Sequence, residues 1–141
     1  MSDWLLLGLS ILLFVGWRVK INLELNRAQR AVAAQRDPVS AESFFAALQQ
    51  TGLSQRAVEV LARGIAICYR APLTPHPDDR PDDPVLRIDL EDVEFLIADA
   101  WIAQGLPRIT SRNPVVIPEG LSWRGLAAWL ASQSDASGDA P

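Results

Sequence analysis

The run Trp4-Leu-Leu-Leu-Gly-Leu-Ser-Ile-Leu-Leu-Phe-Val-Gly-Trp17 carries no charge and has tryptophan at both ends. Indole rings favour the membrane–water interface, so Trp4 and Trp17 read as aromatic belts around an apolar core. Fourteen residues at about 1.5 Å each reach about 21 Å, short of a hydrocarbon layer of roughly 30 Å. Continuing to Leu23 closes the gap, provided that Arg18 and Lys20 lay their aliphatic stems along the helix and send their charges to the headgroups. Residues 1–23 are therefore predicted as a membrane anchor helix and the lipid bilayer as a partner.

The flanks give an orientation. Asp3 is the only charged side chain before the run, whereas Arg18, Lys20, Arg27, Arg30 and Arg36 follow it. By the positive-inside rule the following side is cytoplasmic, with the N-terminus out and the chain single-pass in the cell (inner) membrane. The segment lacks the basic start of a cleaved signal peptide, and Ala31-Val32-Ala33 lies too far downstream for a usual cleavage site.

Residues 24–37 are predicted as a basic helical stalk, in a stretch from Arg18 to Arg36 free of Gly and Pro and ended by Pro38. The remainder, 38–132, reads as a small domain of about four helices, giving an all-α fold. Ser40 caps a helix to about Gln50 with Phe44, Phe45 and Leu48 inward, and Gly52 stops it. Ser54 caps a helix from Gln55 to Arg70. Its apolar face is Ala57, Val58, Leu61, Ile65 and Cys68, and Glu59 and Arg63 form an i,i+4 pair on the other face. Asp89, accepting the N–H of Asp92, opens a helix that buries Leu90, Val93, Leu96, Ile97, Ala100 and Trp101 and stops at Gly105 and Pro107. Val115-Val116-Ile117 forms a short strand or an apolar plug. Leu121 and Ser122 staple and cap a last helix, Trp123 to Ser132. The Pro/Asp-rich segment 71–84 is expected as an extended, solvated loop, Val85 to Ile88 as a short extended piece, and 133–141 as a disordered tail.

Charge is unevenly shared. Residues 1–77 hold eight Arg/Lys and five acids, and residues 78–141 hold five Arg and twelve acids, for a net charge of −4. An acidic distal half makes nucleic acid an unlikely partner there. Cys68 is the single cysteine, which excludes an internal disulfide and, on an apolar face, reads as a small buried hydrophobe.

Two segments suggest chemistry. Residues 47–61 resemble a helix-turn-helix, with Gly52 in the turn and Ser54 capping a helix that would present Gln55, Arg56, Glu59 and Arg63 to a major groove. An ordinary αα-hairpin needs the same turn residues, and Glu59 would meet phosphate. His76, Asp78, Asp79, Asp82 and Asp83 make an oxygen-rich loop, but they lack EF-hand alternation and its glycine, so no metal and no cofactor is expected. A single histidine rules out multi-histidine sites, and no nucleophile or orienting acid can be set beside it, so no catalytic residue is assigned.

Residues 55–132 resemble acyl carrier protein domains. A helix is followed by an acidic loop, then Asp89-Leu-Glu-Asp-Val-Glu-Phe-Leu-Ile97, then a later helix begun by Ser122. Leu90 stands where the serine bearing the phosphopantetheine arm would be, so the resemblance implies a carrier-like helical fold without carrier function.

The expected function is a membrane-tethered cytoplasmic interaction or scaffold protein without catalytic activity, with a protein partner. A membrane-anchored helix-turn-helix regulator is the rival, and a degenerate acyl-carrier-like domain the third reading.

Overall fold

The structure, a computed structural model, describes residues 2–138. Helix α1 runs Ser2–Ala34, α2 Ala41–Gln49, α3 Gln55–Ile67, α4 Leu90–Ala103 and α5 Trp123–Gly138. No strand occurs among the described residues; the nearest approach is an isolated bridge between Thr110 and Asn113. The fold is all-helical, one long apolar N-terminal helix followed by a helical bundle.

Helix α1 is continuous because no Gly or Pro interrupts the turns after Gly16. It is long and apolar enough to cross a membrane, and none of the described residues covers its apolar window. Trp4 is 80% exposed and Leu12 70%, values otherwise rare for large apolar side chains.

The bundle forms where helix starts and stops are written locally. Ser40 accepts from the N–H of Ser43, Ser54 from that of Ala57 and Ser122 from that of Gly125, each satisfying a first-turn donor. Asp89 caps α4 through Glu91, one residue earlier than expected from Asp92. Gly52, at φ 90°, and Gly105, at φ 82°, turn the chain out of α2 and α4 in a conformation that costs glycine little.

Helices α3 and α4 make the most extensive helix–helix contact, with α2 against α3 and α5 against α2. The close approach of α3 and α4 depends on Gly64, where a Cβ would lie 2.9 Å from the Cβ of Leu96. Leu48, Ala57, Val58, Leu61, Ile65, Ile97, Trp123 and Leu130 lie at the centre of one apolar core. Leu90, expected among the buried residues of α4, is 53% exposed, because the first turn of that helix overhangs the core.

Three stretches of the chain also depart from the sequence expectations. Residues 71–84 are a loop but only partly solvated: Leu73, Pro77 and Pro81 are buried, and the loop carbonyls of Pro77 and Asp79 accept the N–H groups of Arg124 and Trp123 at 2.9 Å each. The proline-rich strap thus satisfies the open end of α5. Residues 85–88 form a turn rather than an extended piece, with Arg87 in the left-handed region at φ 55°. The last helix passes Ser132 and reaches Gly138, held by Gln104, whose amide donates to Ser134 Oγ at 2.9 Å and whose carbonyl accepts Ser54 N–H at 3.0 Å. Of the expected disordered tail, 139–141 lie outside the described residues. Val115 and Ile117 pack on the core while Val116 is exposed, so this segment is the plug, not a strand.

Candidate functional site

The second half of α1 is docked on the bundle through one polar stripe. Asn22, Asn26 and Gln29 recur at helical spacing and therefore share one face, and Arg36 follows just past the end of the helix. Gln29 is the buried polar residue of that face. Its amide donates to the carbonyls of Cys68 and Leu86 at 3.1 Å each, and its oxygen accepts the N–H of Arg70 at 2.7 Å. Those three backbone groups are the loose ends left where α3 stops and where the 85–88 turn closes, so one side chain from α1 seals two chain ends. Arg70 returns the contact, its guanidinium reaching Asn22 Oδ1 at 3.1 Å and Asn26 Oδ1 at 3.4 Å.

Below Gln29 lies a second polar cluster. The Arg36 guanidinium grips both oxygens of Asp79 and donates to the Thr74 carbonyl at 2.7 Å. Tyr69 donates its phenol O–H to Asp79 at 2.7 Å and accepts from Trp123 Nε1 at 2.8 Å. The backbone N–H of His76 also donates to Asp79. Burial, and then the bond to Asp79, push the Tyr69 phenol well above the ordinary tyrosine range, so it acts as a neutral donor. The chain Trp123–Tyr69–Asp79–Arg36 thereby links the start of α5, the end of α3, the proline strap and the end of α1.

The oxygen-rich loop does not converge on a metal. Asp79 is turned inward to Arg36 and Tyr69, Asp82 pairs with Arg80 at 2.8 Å, and His76 Nδ1 accepts the N–H of Asp78. The described residues contain no group of three or more His, Cys, Asp or Glu placed to hold an ion. Cys68 is partly buried, with Sγ 3.6 Å from the Gly64 carbonyl. Burial, reinforced by Asp92 and Asp89, raises its thiol to about 11.

Trp4, Trp17, Arg18 and Lys20 are all exposed on α1, with the Trp17 ring 6.2 Å from that of Phe14. Gln55, Arg56, Glu59 and Arg63 are exposed on α3. Glu59 accepts from Gln55 at 3.1 Å, and the expected pair with Arg63 does not form among the described residues. The turn and α4 leave further apolar side chains uncovered: Val85 at 56%, Phe95 at 64% and Ile102 at 53% exposed.

Sequence reasoning did not single out Gln29, Arg36, Tyr69 or Asp79 as a unit. The available signal was the spacing of polar residues 22, 26 and 29 along one helical face, running into a segment read as a basic helical stalk. Compared with protein-family models, with curated proteins and with solved structures, the chain matches none.

Proposed function

We propose that this protein is a membrane-tethered, non-enzymatic interaction or scaffold protein whose helical domain lies on the cytoplasmic side. One observation carries the reading. A single helix has its first part bare and apolar and its last part fastened to a folded domain by Gln29, with Arg36 adding a second hold just past its end. An apolar surface that size is stable in lipid and costly in water. The excess of Arg and Lys after the apolar run supports the cytoplasmic orientation.

Interaction rather than chemistry is favoured by what the polar groups do. His76 is engaged with a backbone N–H, Cys68 is kept as a thiol, and Tyr69 and Asp79 are spent on holding the fold. On α4, Phe95 and Ile102 face solvent amid Glu91, Glu94 and Asp99, a surface that a basic amphipathic segment would complement.

The test uses the full-length chain in membranes. After an alkaline carbonate wash, it is expected to stay in the pellet and to be cleaved by protease only when the cytoplasmic face is open. Release into the wash removes the tether, and cleavage from the outer face reverses the orientation. A photocrosslinking residue in place of Phe95 is expected to give a defined protein adduct. A salt-dependent shift of DNA mobility, lost on Arg56→Ala with Arg63→Ala, would replace this reading with the regulator.

A further inference from the structure

A cleft of about 800 Å³ opens between α1 and the turn that follows the proline strap. Its apolar wall is Ile21, Leu25, Ile88 and Leu90. Its polar members are Glu24, Asp82, Asp83, Arg87 and Asp89. No aromatic side chain lines it.

The height of this cleft along α1 is informative. If the apolar span runs from Trp4 to Leu23, twenty residues cover about 30 Å, the thickness of the hydrocarbon layer. Ile21 and Leu25 then straddle the level at which acyl chains give way to headgroups. On the membrane-tether reading, a cleft with one apolar wall and one charged, exposed wall at that level adjoins the headgroups.

The charges narrow the choice of lipid. Arg87 makes no hydrogen bond or ion pair among the described residues, and neither does Glu24. Arg87 is also held in the left-handed region, at φ 55°, which a side-chain-bearing residue adopts at a cost. Asp82 is matched by Arg80. Asp83 and Asp89 each spend one oxygen on a local N–H, of Val85 and Glu91, and keep the other. One guanidinium without a protein partner therefore stands beside the carboxylates of Glu24, Asp83 and Asp89, of which Asp83 also feels the charge of Arg80. That set repels a headgroup with net negative charge and suits one carrying a phosphate and a cation together. A primary ammonium can donate hydrogen bonds to the carboxylates, whereas a quaternary one cannot and would need the aromatic faces that the cleft lacks.

We infer that this cleft holds an ethanolamine phospholipid, with the phosphate on Arg87, the ammonium among Glu24, Asp83 and Asp89, and an acyl chain along Ile21 and Leu25. The inference rests on the membrane-tether reading above.

The experiment compares the full-length protein and Arg87→Gly, a change that removes the guanidinium while relieving the left-handed backbone. Each is offered equimolar ethanolamine and choline phospholipids and phosphatidylglycerol of the same acyl composition in neutral detergent, and retained lipid is counted by native mass spectrometry. Wild type is expected to retain the ethanolamine lipid roughly tenfold over the choline lipid, and Arg87→Gly to lose that retention. Glu24→Gln with Asp83→Asn is expected to keep a bound phospholipid but abolish the choice between the two. Equal retention of both lipids by wild type, no change in Arg87→Gly, or preference for phosphatidylglycerol overturns the inference. Flotation on choline-lipid vesicles separates the two failures. A chain that floats but does not discriminate leaves the tether standing and sinks the lipid site, whereas one that floats with no vesicle sinks both.

Discussion

Trp123 Nε1 donates to the phenol oxygen of Tyr69 at 2.8 Å, across 54 residues of sequence and inside the core. The same phenol donates onward to Asp79, so a single oxygen both accepts and gives. Tyr69→Phe keeps the ring and its packing but leaves the buried indole N–H without an acceptor and takes a donor from Asp79. Thermal unfolding is expected to show a loss of about 2 kcal/mol. Combined with Asp79→Asn the losses should be clearly less than additive, because both changes break the same network. Additive losses would show that the four residues do not act as a chain.

Gln29→Leu is isosteric enough to fill its site but satisfies none of its three backbone partners. A loss of about 3 kcal/mol is expected. Hydrogen exchange should quicken first at Arg70, whose N–H loses its acceptor, before the core of α3 opens. Unchanged protection at that amide would mean that α1 is not docked as described.

Gly64→Ala sets two effects against each other. Alanine would favour helix α3 by about 1 kcal/mol in an open position. Here its methyl would meet the Leu96 Cβ at 2.9 Å, and Cβ atoms cannot swing away as side-chain ends do. Separation of α3 from α4 should dominate, giving a net destabilisation of about 1–3 kcal/mol in chemical denaturation. A stabilised variant would show that the two helices tolerate spreading.

Cys68 should react slowly. With its thiol raised to about 11, the thiolate fraction at pH 8 is roughly a hundredfold below that of an ordinary cysteine, and alkylation of the folded chain should lag the unfolded chain by about that factor. The linkage has a defined sign. Below the ordinary value near 9 both states keep the proton, so Cys68 adds no pH dependence. Between about 9 and about 11 the unfolded chain releases a proton that the folded chain retains, so stability falls as pH rises. Cys68→Ala should flatten that part of the profile.

Much of the fold is legible because its signals are local. Ser40, Ser54 and Ser122 mark helix starts within three residues of the groups they cap, and Gly52 and Gly105 mark stops. The apolar periodicity of α3 and α4 names nearly half of the buried core, though it misplaces Leu90. The strap and the docked half of α1 were not legible, for one reason. Gln29 finds its partners 39 to 57 residues away, and Arg36 meets Asp79 across 43. A glutamine among helix formers, or an aspartate among prolines, looks solvated until a distant chain end arrives to use it. The extension of α5 to Gly138 depends likewise on Gln104, thirty residues before Ser134.

The absence of a hinge between the bare and the docked parts of α1 has a mechanical consequence. Whatever seizes the greasy part of that rod also aims the bundle, since tilt or axial rotation passes straight through Gln29 and Arg36. Inserting one residue after Leu23 would swivel the upper segment by about 100° against the lower. The bundle would then point a different flank at its surroundings, losing the Arg70–Asn22 bond and keeping those that Asn26, Gln29 and Arg36 make.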